Sequence, residues 1–108
     1  MPSEQSSSPE RDAKTSFRTI GLIGRLGSAK VVDTLKRLIR FLDQRGHHVI
    51  IEDRTATVLL DHGHVESSRR MLGQLCDLVI VVGGDGSLLG AARTLCHSGT
   101  LVLGVNRG

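Results

Sequence analysis

Apolar residues recur along the chain in two patterns, and the alternation of these patterns predicts the fold. Short apolar, often β-branched runs predict strands at residues 17–23, 47–52, 78–82 and 101–105. Between the first two strands, apolar spacings of three, four and seven residues predict an amphipathic helix. One face of that helix carries Val31, Val32, Leu35, Leu38, Ile39 and Leu42.

The other connections are predicted from turn residues and weaker periodicity. Ser28 is placed to cap the first helix and Gly46 to end it. Residues 54–63 are predicted to form a loop or a short apolar bump. Two more helices are predicted from spacing, the second from Val65, Ser68, Met71, Leu72 and Leu75, and the third from Leu88, Leu89, Ala92, Leu95 and Cys96.

The order of these elements, strand–helix repeated three times and followed by a strand, predicts a parallel-sheet, three-layer α/β fold of the Rossmann-like class. The apolar run at 78–82 fits a strand with helices on both faces. This domain occupies residues 17–108, and the Ser-, Pro- and charge-rich residues 1–16 are predicted to be a disordered tail. Because no helix follows the last strand, we expect the chain to be part of a longer protein.

Composition narrows the class of protein without indicating its chemistry. The length of 108 residues and the 39% hydrophobic content fit one globular domain, and no apolar run approaches a membrane span. A net charge of +3 fits an anionic small molecule as well as a nucleic acid. Phe17 and Phe41 lack partners for base stacking, which argues against nucleic acid. Cys76 and Cys96 form no disulfide framework, so a reducing cytoplasm is predicted.

The strongest candidate functional site is the glycine-rich segment Gly83-Gly84-Asp85-Gly86-Ser87. It connects a buried strand directly to a helix, at the edge of the sheet where ligands bind in open α/β folds. Glycines there would allow positive φ angles and a close approach of phosphates to the backbone. The helix would direct its free amides, near Ser87 and Leu88, towards the same point. The segment therefore predicts a phosphate-binding loop.

An acidic residue inside such a loop needs its own explanation, because Asp85 repels phosphate unless it has another task. It could hold a magnesium ion, accept the proton of an attacking hydroxyl group, or cap the helix. A cap does not require glycine on both sides, so the sequence favours one of the first two roles.

A second glycine cluster follows the first strand, but its spacing differs from the dinucleotide fingerprint. It forms either a simple turn or a phosphate-binding helix N-terminus, in which backbone amides near Arg25 and Ser28 contact the phosphate. No lysine follows a glycine cluster, so the Walker pattern is absent. Arg69 and Arg70 are interpreted as a solvent-exposed helix face.

Residues 79–93 resemble the Gly-Gly-Asp-Gly motif of NAD kinases, and residues 103–108 resemble the start of the next motif of that family. Residues 20–25 and 51–53 resemble its proteobacterial members. Diacylglycerol and sphingosine kinases share Gly-Gly-Asp-Gly, but the continuation Ser87-Leu88-Leu89-Gly90-Ala91-Ala92-Arg93 favours the NAD kinase family.

The resemblance implies a nucleotide-binding domain that takes part in the ATP-dependent phosphorylation of NAD to NADP at the 2′-hydroxyl of the adenosine ribose. Asp85 would accept the proton of that hydroxyl group, and Gly86 would contact NAD. The other residues of the implied site, which shape the loop, receive phosphates or face the same cleft, are Gly83, Gly84, Ser87 and Asn106. The resemblance also implies a divalent ion, Mg²⁺, on the ATP phosphates and a homo-oligomer in the complete protein.

The family pattern also contains a second, β-rich domain and an Asn-Glu motif, which these residues lack. We therefore expect the 108-residue chain alone to show no kinase activity. Two alternative functions stay open at this point. One is a lipid kinase catalytic domain of the diacylglycerol type, and the other is a nucleotide-sensing module without turnover.

Overall fold

A computed structural model describes residues 17–107, which form a five-stranded parallel sheet between two layers of helices. The strands are β1 (Thr19–Gly24), β2 (His48–Glu52), β3 (Val65–Ser67), β4 (Leu78–Gly83) and β5 (Leu101–Asn106). The helices are α1 (Ala29–Gln44), α2 (Asp53–Ala56), α3 (Arg69–Leu75) and α4 (Asp85–Leu95). The predicted parallel α/β fold is confirmed, and the predicted tail at 1–16 lies outside the described residues.

The strand order is β3-β2-β1-β4-β5, so the winding direction reverses between β1 and β4. In open parallel sheets this reversal point leaves a crevice beyond the carboxyl ends of the two central strands, where ligands bind. Gly24 pairs with Val82 there, and Arg25 N donates to Val82 O at 2.9 Å. The glycine cluster after β1 and the loop after β4 are therefore neighbours across the crevice.

Two apolar cores cover the two faces of the sheet. On the α1 face, strand side chains pack against Val31, Leu35 and Leu42. On the opposite face, strand side chains pack against Leu72 of α3 and against Ala91 and Leu95 of α4. Strand β4 supplies both cores with alternate residues, Ile80 and Val82 on the α1 face and Val79 and Val81 on the other. This confirms the three-layer prediction and explains the uninterrupted apolar run.

Local signals place α1 as the sequence predicts. Ser28 is the N-cap residue, and its Oγ accepts a hydrogen bond from Val31 N at 3.4 Å. After the helix, Gly46 has a φ of +78°, a conformation that glycine adopts without strain. The helix direction over the sheet is thus fixed at both ends by the residue types expected for those positions.

The segment between β2 and β4 differs from the prediction. Residues 54–63, expected to be a loop or an apolar bump, begin within the short helix α2. Val65, assigned to the second helix, lies in the edge strand β3, so the sheet has five strands and not four. The helix starts only at Arg69, because Ser68 caps it by accepting from Met71 N at 3.3 Å. Val65 is 63% exposed, so its helical spacing from Ser68 and Leu72 is coincidental.

Gly24 lets α1 pack directly on β1. A Cβ atom added there would lie 2.5 Å from Leu35 Cδ1 and 3.0 Å from Val31 Cγ1. We expect Gly24→Ala to lower the free energy of unfolding by about 1–3 kcal/mol, because the buried side chains of Leu35 and Val31 must shift. Gly90→Ala is the matched control, since its nearest neighbour is 3.7 Å away and alanine favours the helix by about 0.5–1 kcal/mol. Denaturant unfolding of both variants checks this pair, and equal stability of the two would contradict it.

The two cysteines differ in environment. Burial, with a smaller contribution from the Asp77 carboxylate, raises the pKa of Cys76 to about 11, whereas Cys96 is exposed. At pH 8 we expect a thiol-alkylating reagent to label Cys96 in the native protein and to reach Cys76 only on unfolding, because the thiolate is the nucleophile. Peptide mass spectrometry locates the label. Equal labelling of both thiols in the folded protein would contradict the buried position of Cys76.

Candidate functional site

In the glycine-rich segment, Gly84 is the single residue between β4 and α4. β4 ends at Gly83, Gly84 is the N-cap residue, and Asp85 is the first residue of α4. Leu88 N donates to Gly84 O at 3.2 Å, so the expectation of a free Leu88 amide is wrong. The amides without intrahelical acceptors belong to the preceding residues of the first turn, which include Ser87. Their partial positive charge lies at the carboxyl edge of the sheet.

The glycines of this segment do not adopt positive φ angles, contrary to expectation; the described glycines that do are Gly27, Gly46, Gly63 and Gly99. The space around each position, and not its backbone conformation, distinguishes these glycines. At Gly83 an added Cβ would lie 2.6 Å from Ser87 Oγ and 3.1 Å from Arg25 Cβ. At Gly84 and Gly86 no such neighbour lies within 4 Å. These two residues therefore leave bare backbone beside open space.

Asp85 is exposed at the start of α4 and does not cap it. The N-cap residue is Gly84, and the helix has no side-chain cap hydrogen bond. A carboxylate in the first turn is favoured by the helix dipole, but capping alone does not account for Asp85. The side chain can therefore contact a ligand at the mouth of the loop.

A small pocket of about 150 Å³ lies on the β5 side of α4. It brings together Asp85, Asn106 and the glycines Gly83 and Gly84. Gly83 pairs with Asn106, and Arg107 N donates to Gly83 O at 2.8 Å, which fixes β5 against the loop. This pocket thus contains four of the six residues singled out in the sequence.

A larger crevice of about 540 Å³ lies on the other side of the loop, at the reversal point beside β1 and β2. Ser87 lines this crevice and not the pocket of Asp85. The crevice is also lined by the charged residues Arg25, Glu52, Asp53, Arg54 and Arg69. The predicted site residues therefore line two separate spaces, one on each side of the start of α4. Gly86, the second residue of α4, lines neither of them.

A buried hydrogen-bond network, which the sequence does not predict, supports the crevice. Glu52 is 3% exposed and ends β2, where its Oε2 accepts from Arg69 Nε at 2.6 Å. Its other oxygen, Oε1, accepts from Thr55 Oγ1 at 2.7 Å. Thr55 is fully buried and in turn accepts from Gly24 N at 3.0 Å. The network joins the ends of β1 and β2 to α2 and to the first residue of α3.

The exposed-face interpretation holds for Arg70 and is wrong for Arg69, whose side chain is 35% exposed and ion-paired. A signal was present in the sequence, because Glu52 directly follows the apolar run Val49-Ile50-Ile51. A carboxylate at the end of a buried strand requires a partner. The identity of that partner depends on the crossover between β2 and α3, which periodicity did not resolve.

Two further observations concern residues 17–107. None of their helices has the length and apolar character that a membrane crossing requires. Within the same residues, no three or more His, Cys, Asp or Glu side chains are grouped so as to hold a metal ion.

The strand order, the reversal point and the glycine loop at the start of α4 define a doubly wound α/β domain of the class that binds nucleotides. Comparison with protein families gives the particular family: residues 20–108 match the ATP-NAD kinase N-terminal domain. The chain belongs to the NAD kinase family.

Individual relatives agree with this assignment. Over 92 residues the chain is 71% identical to the NAD kinase of Chromohalobacter salexigens and 64% identical to that of Pseudomonas fluorescens Pf0-1. Each match covers 85% of this chain and 31% of the relative, so the chain spans about a third of the length of these proteins. The fold is similar to the crystal structure of yeast NADH kinase complexed with NADH, with a TM-score of 0.70 at 16% identity. That match covers 84% of this chain and 30% of the yeast chain.

Proposed function

We propose that the full-length natural polypeptide carrying this sequence is an NAD kinase, which transfers the γ-phosphoryl group of ATP to the 2′-hydroxyl group of the adenosine ribose of NAD. The main support is the juxtaposition of Asp85 and Asn106 in one pocket beside the exposed backbone of Gly84. A carboxylate and an amide side chain can together bind a ribose hydroxyl, and the bare backbone admits a phosphate.

In the proposed reaction, Asp85 orients the 2′-hydroxyl group and accepts its proton as the oxygen attacks the γ-phosphorus. A new oxygen–phosphorus bond forms, the bond to the β,γ-bridging oxygen breaks, and ADP leaves with that oxygen. The transition state of such a transfer is loose, so positioning and charge stabilisation dominate the rate enhancement. The amides of the first turn of α4 are placed to stabilise charge on the phosphates.

A divalent ion, proposed to be Mg²⁺, fits this site as a companion of the nucleotide. Mg²⁺ is commonly held by one or two carboxylates, by phosphate oxygens and by water. Asp85 is exposed beside the proposed phosphate position and can provide such a carboxylate. When bound, the ion neutralises charge on the transferring phosphates.

The described residues form one side of the proposed site. The pocket of Asp85, at about 150 Å³, is too small to enclose a dinucleotide. The rest of the dinucleotide therefore needs a surface beyond these residues. This supports the expectation that the 108-residue chain alone shows no kinase activity.

The proposed setting is the cytoplasm, which two unpaired thiols, Cys76 and Cys96, support. Assembly of the complete protein into a homo-oligomer stays a prediction.

The test is to supply the full-length natural polypeptide with ATP and Mg²⁺, and with NAD and a diacylglycerol in parallel. We expect NADP as the main phosphorylated product. Product from the lipid alone would replace the proposal with the lipid kinase alternative. Nucleotide binding without any product would instead support the sensing module.

A further inference from the structure

We propose that Arg69 binds a phosphate group of the nucleoside triphosphate donor in the crevice between β1, β2 and α4, and that the buried Glu52 holds it there. This inference rests on the proposed function, since the kinase reaction supplies the donor. It assigns the two spaces beside α4 to different substrates. The acceptor ribose would occupy the pocket of Asp85, and the donor phosphates would occupy the arginine-lined crevice.

The position of Arg69 is unfavourable for local stability. It is the first residue of α3, where the positive end of the helix dipole disfavours a cation. Its partner Glu52 is a buried carboxylate, whose desolvation an ion pair seldom repays in full. A hydrophobic pair of similar size would serve packing as well or better. An arginine that is retained despite these helix-dipole and desolvation penalties is expected where it binds a ligand.

The guanidinium group has donors left for a ligand. Among the described residues its hydrogen bond is made through Nε, to Glu52. The four N–H bonds on Nη1 and Nη2 thus have no protein acceptor there. Nη1 extends over α4, because it lies 3.7 Å from the position of a Cβ atom on Gly90, one turn beyond Gly86. A planar fork of donors with one edge fixed by a carboxylate is suited to bind phosphate oxygens.

The rest of the crevice is also suited to a polyphosphate. Arg25 enters it directly from β1, with its Cβ 3.1 Å from the Cβ position of Gly83. Arg54 lines it as well, and Ser87 adds a hydroxyl group from α4. The lining carries three arginines against the two carboxylates of Glu52 and Asp53, so its formal charge is positive. The volume of about 540 Å³ is large enough for a triphosphate chain.

Geometry favours the donor over the dinucleotide as the occupant. Asp85, the proposed proton acceptor, lies in the pocket on the β5 side of α4, whereas Arg69 lies on the β1 side. An in-line transfer requires the attacking oxygen and the leaving oxygen on opposite sides of phosphorus. With the acceptor hydroxyl on the Asp85 side, the leaving diphosphate extends towards the crevice.

The test measures ATP and NAD separately in the full-length natural polypeptide. For Arg69→Ala we expect the calorimetric Kd and the KM for ATP to rise about 10- to 100-fold, the value of a charged hydrogen bond, with the KM for NAD unchanged. Arg70→Ala is the matched control, because it removes the same charge from the next residue, which is exposed. Glu52→Gln, which keeps the acceptor for Thr55 but loses the charge, should weaken ATP binding in the same direction.

An ATP affinity that matches the wild type in Arg69→Ala would overturn the proposal, and so would a rise in the KM for NAD instead of ATP. If Arg69→Ala does not fold, the double variant Glu52→Gln/Arg69→Gln removes both buried charges and is judged by the same criteria. The two proposals fail separately. ATP binding that depends on Arg69 without NADP formation refutes the kinase function alone, and NADP formation insensitive to Arg69 refutes this inference alone.

Discussion

Asp85→Asn is expected to lower kcat for NADP formation about 100- to 10,000-fold, the contribution of a positioned proton acceptor. Asparagine preserves the shape of the side chain and its hydrogen-bonding reach but cannot take up the proton of the 2′-hydroxyl group. Asp85 is exposed and has no capping hydrogen bond, so the folded structure should survive the change. The KM for NAD should change much less than kcat. Steady-state assays of the full-length polypeptide provide both constants.

Asp33→Asn is the control for this prediction. Asp33 is also a helical aspartate, but it lies on the exposed face of α1 and pairs with Arg37 in solvent. Its replacement should leave kcat unchanged, since exposed ion pairs contribute about 0–1 kcal/mol to stability and nothing to this reaction. A kcat for Asp85→Asn within tenfold of the wild type would rule out Asp85 as the essential proton acceptor.

Gly86→Ala is expected to separate stability from activity. An added Cβ has no neighbour within 4 Å, and the residue is helical, so alanine should stabilise the fold by about 0.5–1 kcal/mol. The same methyl group would stand in the open space beside Asp85, where the dinucleotide is proposed to lie. We expect kcat/KM for NAD to fall about 100-fold, the typical cost of displacing a reacting group by about 1 Å.

Thr94→Ala provides the comparison for Gly86→Ala, because Thr94 is an exposed residue in the last turns of the same helix. It should also stabilise α4 slightly, since alanine has the higher helix propensity, and should keep full activity. Stability is measured by denaturant unfolding, and activity by NADP formation. If Gly86→Ala is as active as Thr94→Ala, the space in front of Gly86 is not part of the substrate site.

The sequence predicts most of the fold because its signals are local. Uninterrupted apolar runs, the cap at Ser28 and the turn at Gly46 each act within a few residues, and all agree with the structure. Strand β3 has only three residues and its valine is exposed, so it has no hydrophobic alternation from which a strand could be predicted. Asp85 is singled out by the glycine-rich segment itself, whereas Asn106 comes only from the resemblance to NAD kinases. Parallel pairing of β4 and β5 brings the two residues to the same edge of the sheet.

The remainder of the site depends on contacts between distant segments. Arg69 pairs with Glu52 across 17 positions, and Thr55 reaches Gly24 across 31. No local pattern distinguishes Arg69 from Arg70, because only the direction of the β3–α3 connection decides which arginine faces the crevice. The requirement for glycine at position 83 also depends on distant contacts. A side chain there would collide with Ser87 and Arg25, whereas the φ angle of Gly83 does not require glycine.

The most direct test is a crystal structure of the full-length natural polypeptide with NAD and a non-hydrolysable ATP analogue bound. We expect the adenosine 2′-oxygen of NAD within hydrogen-bond distance of the Asp85 carboxylate, on the β5 side of α4. We expect the analogue's phosphates on the opposite side, beside Arg69. An adenosine ribose bound away from Asp85, with another side chain at the 2′-oxygen, would contradict the central claim.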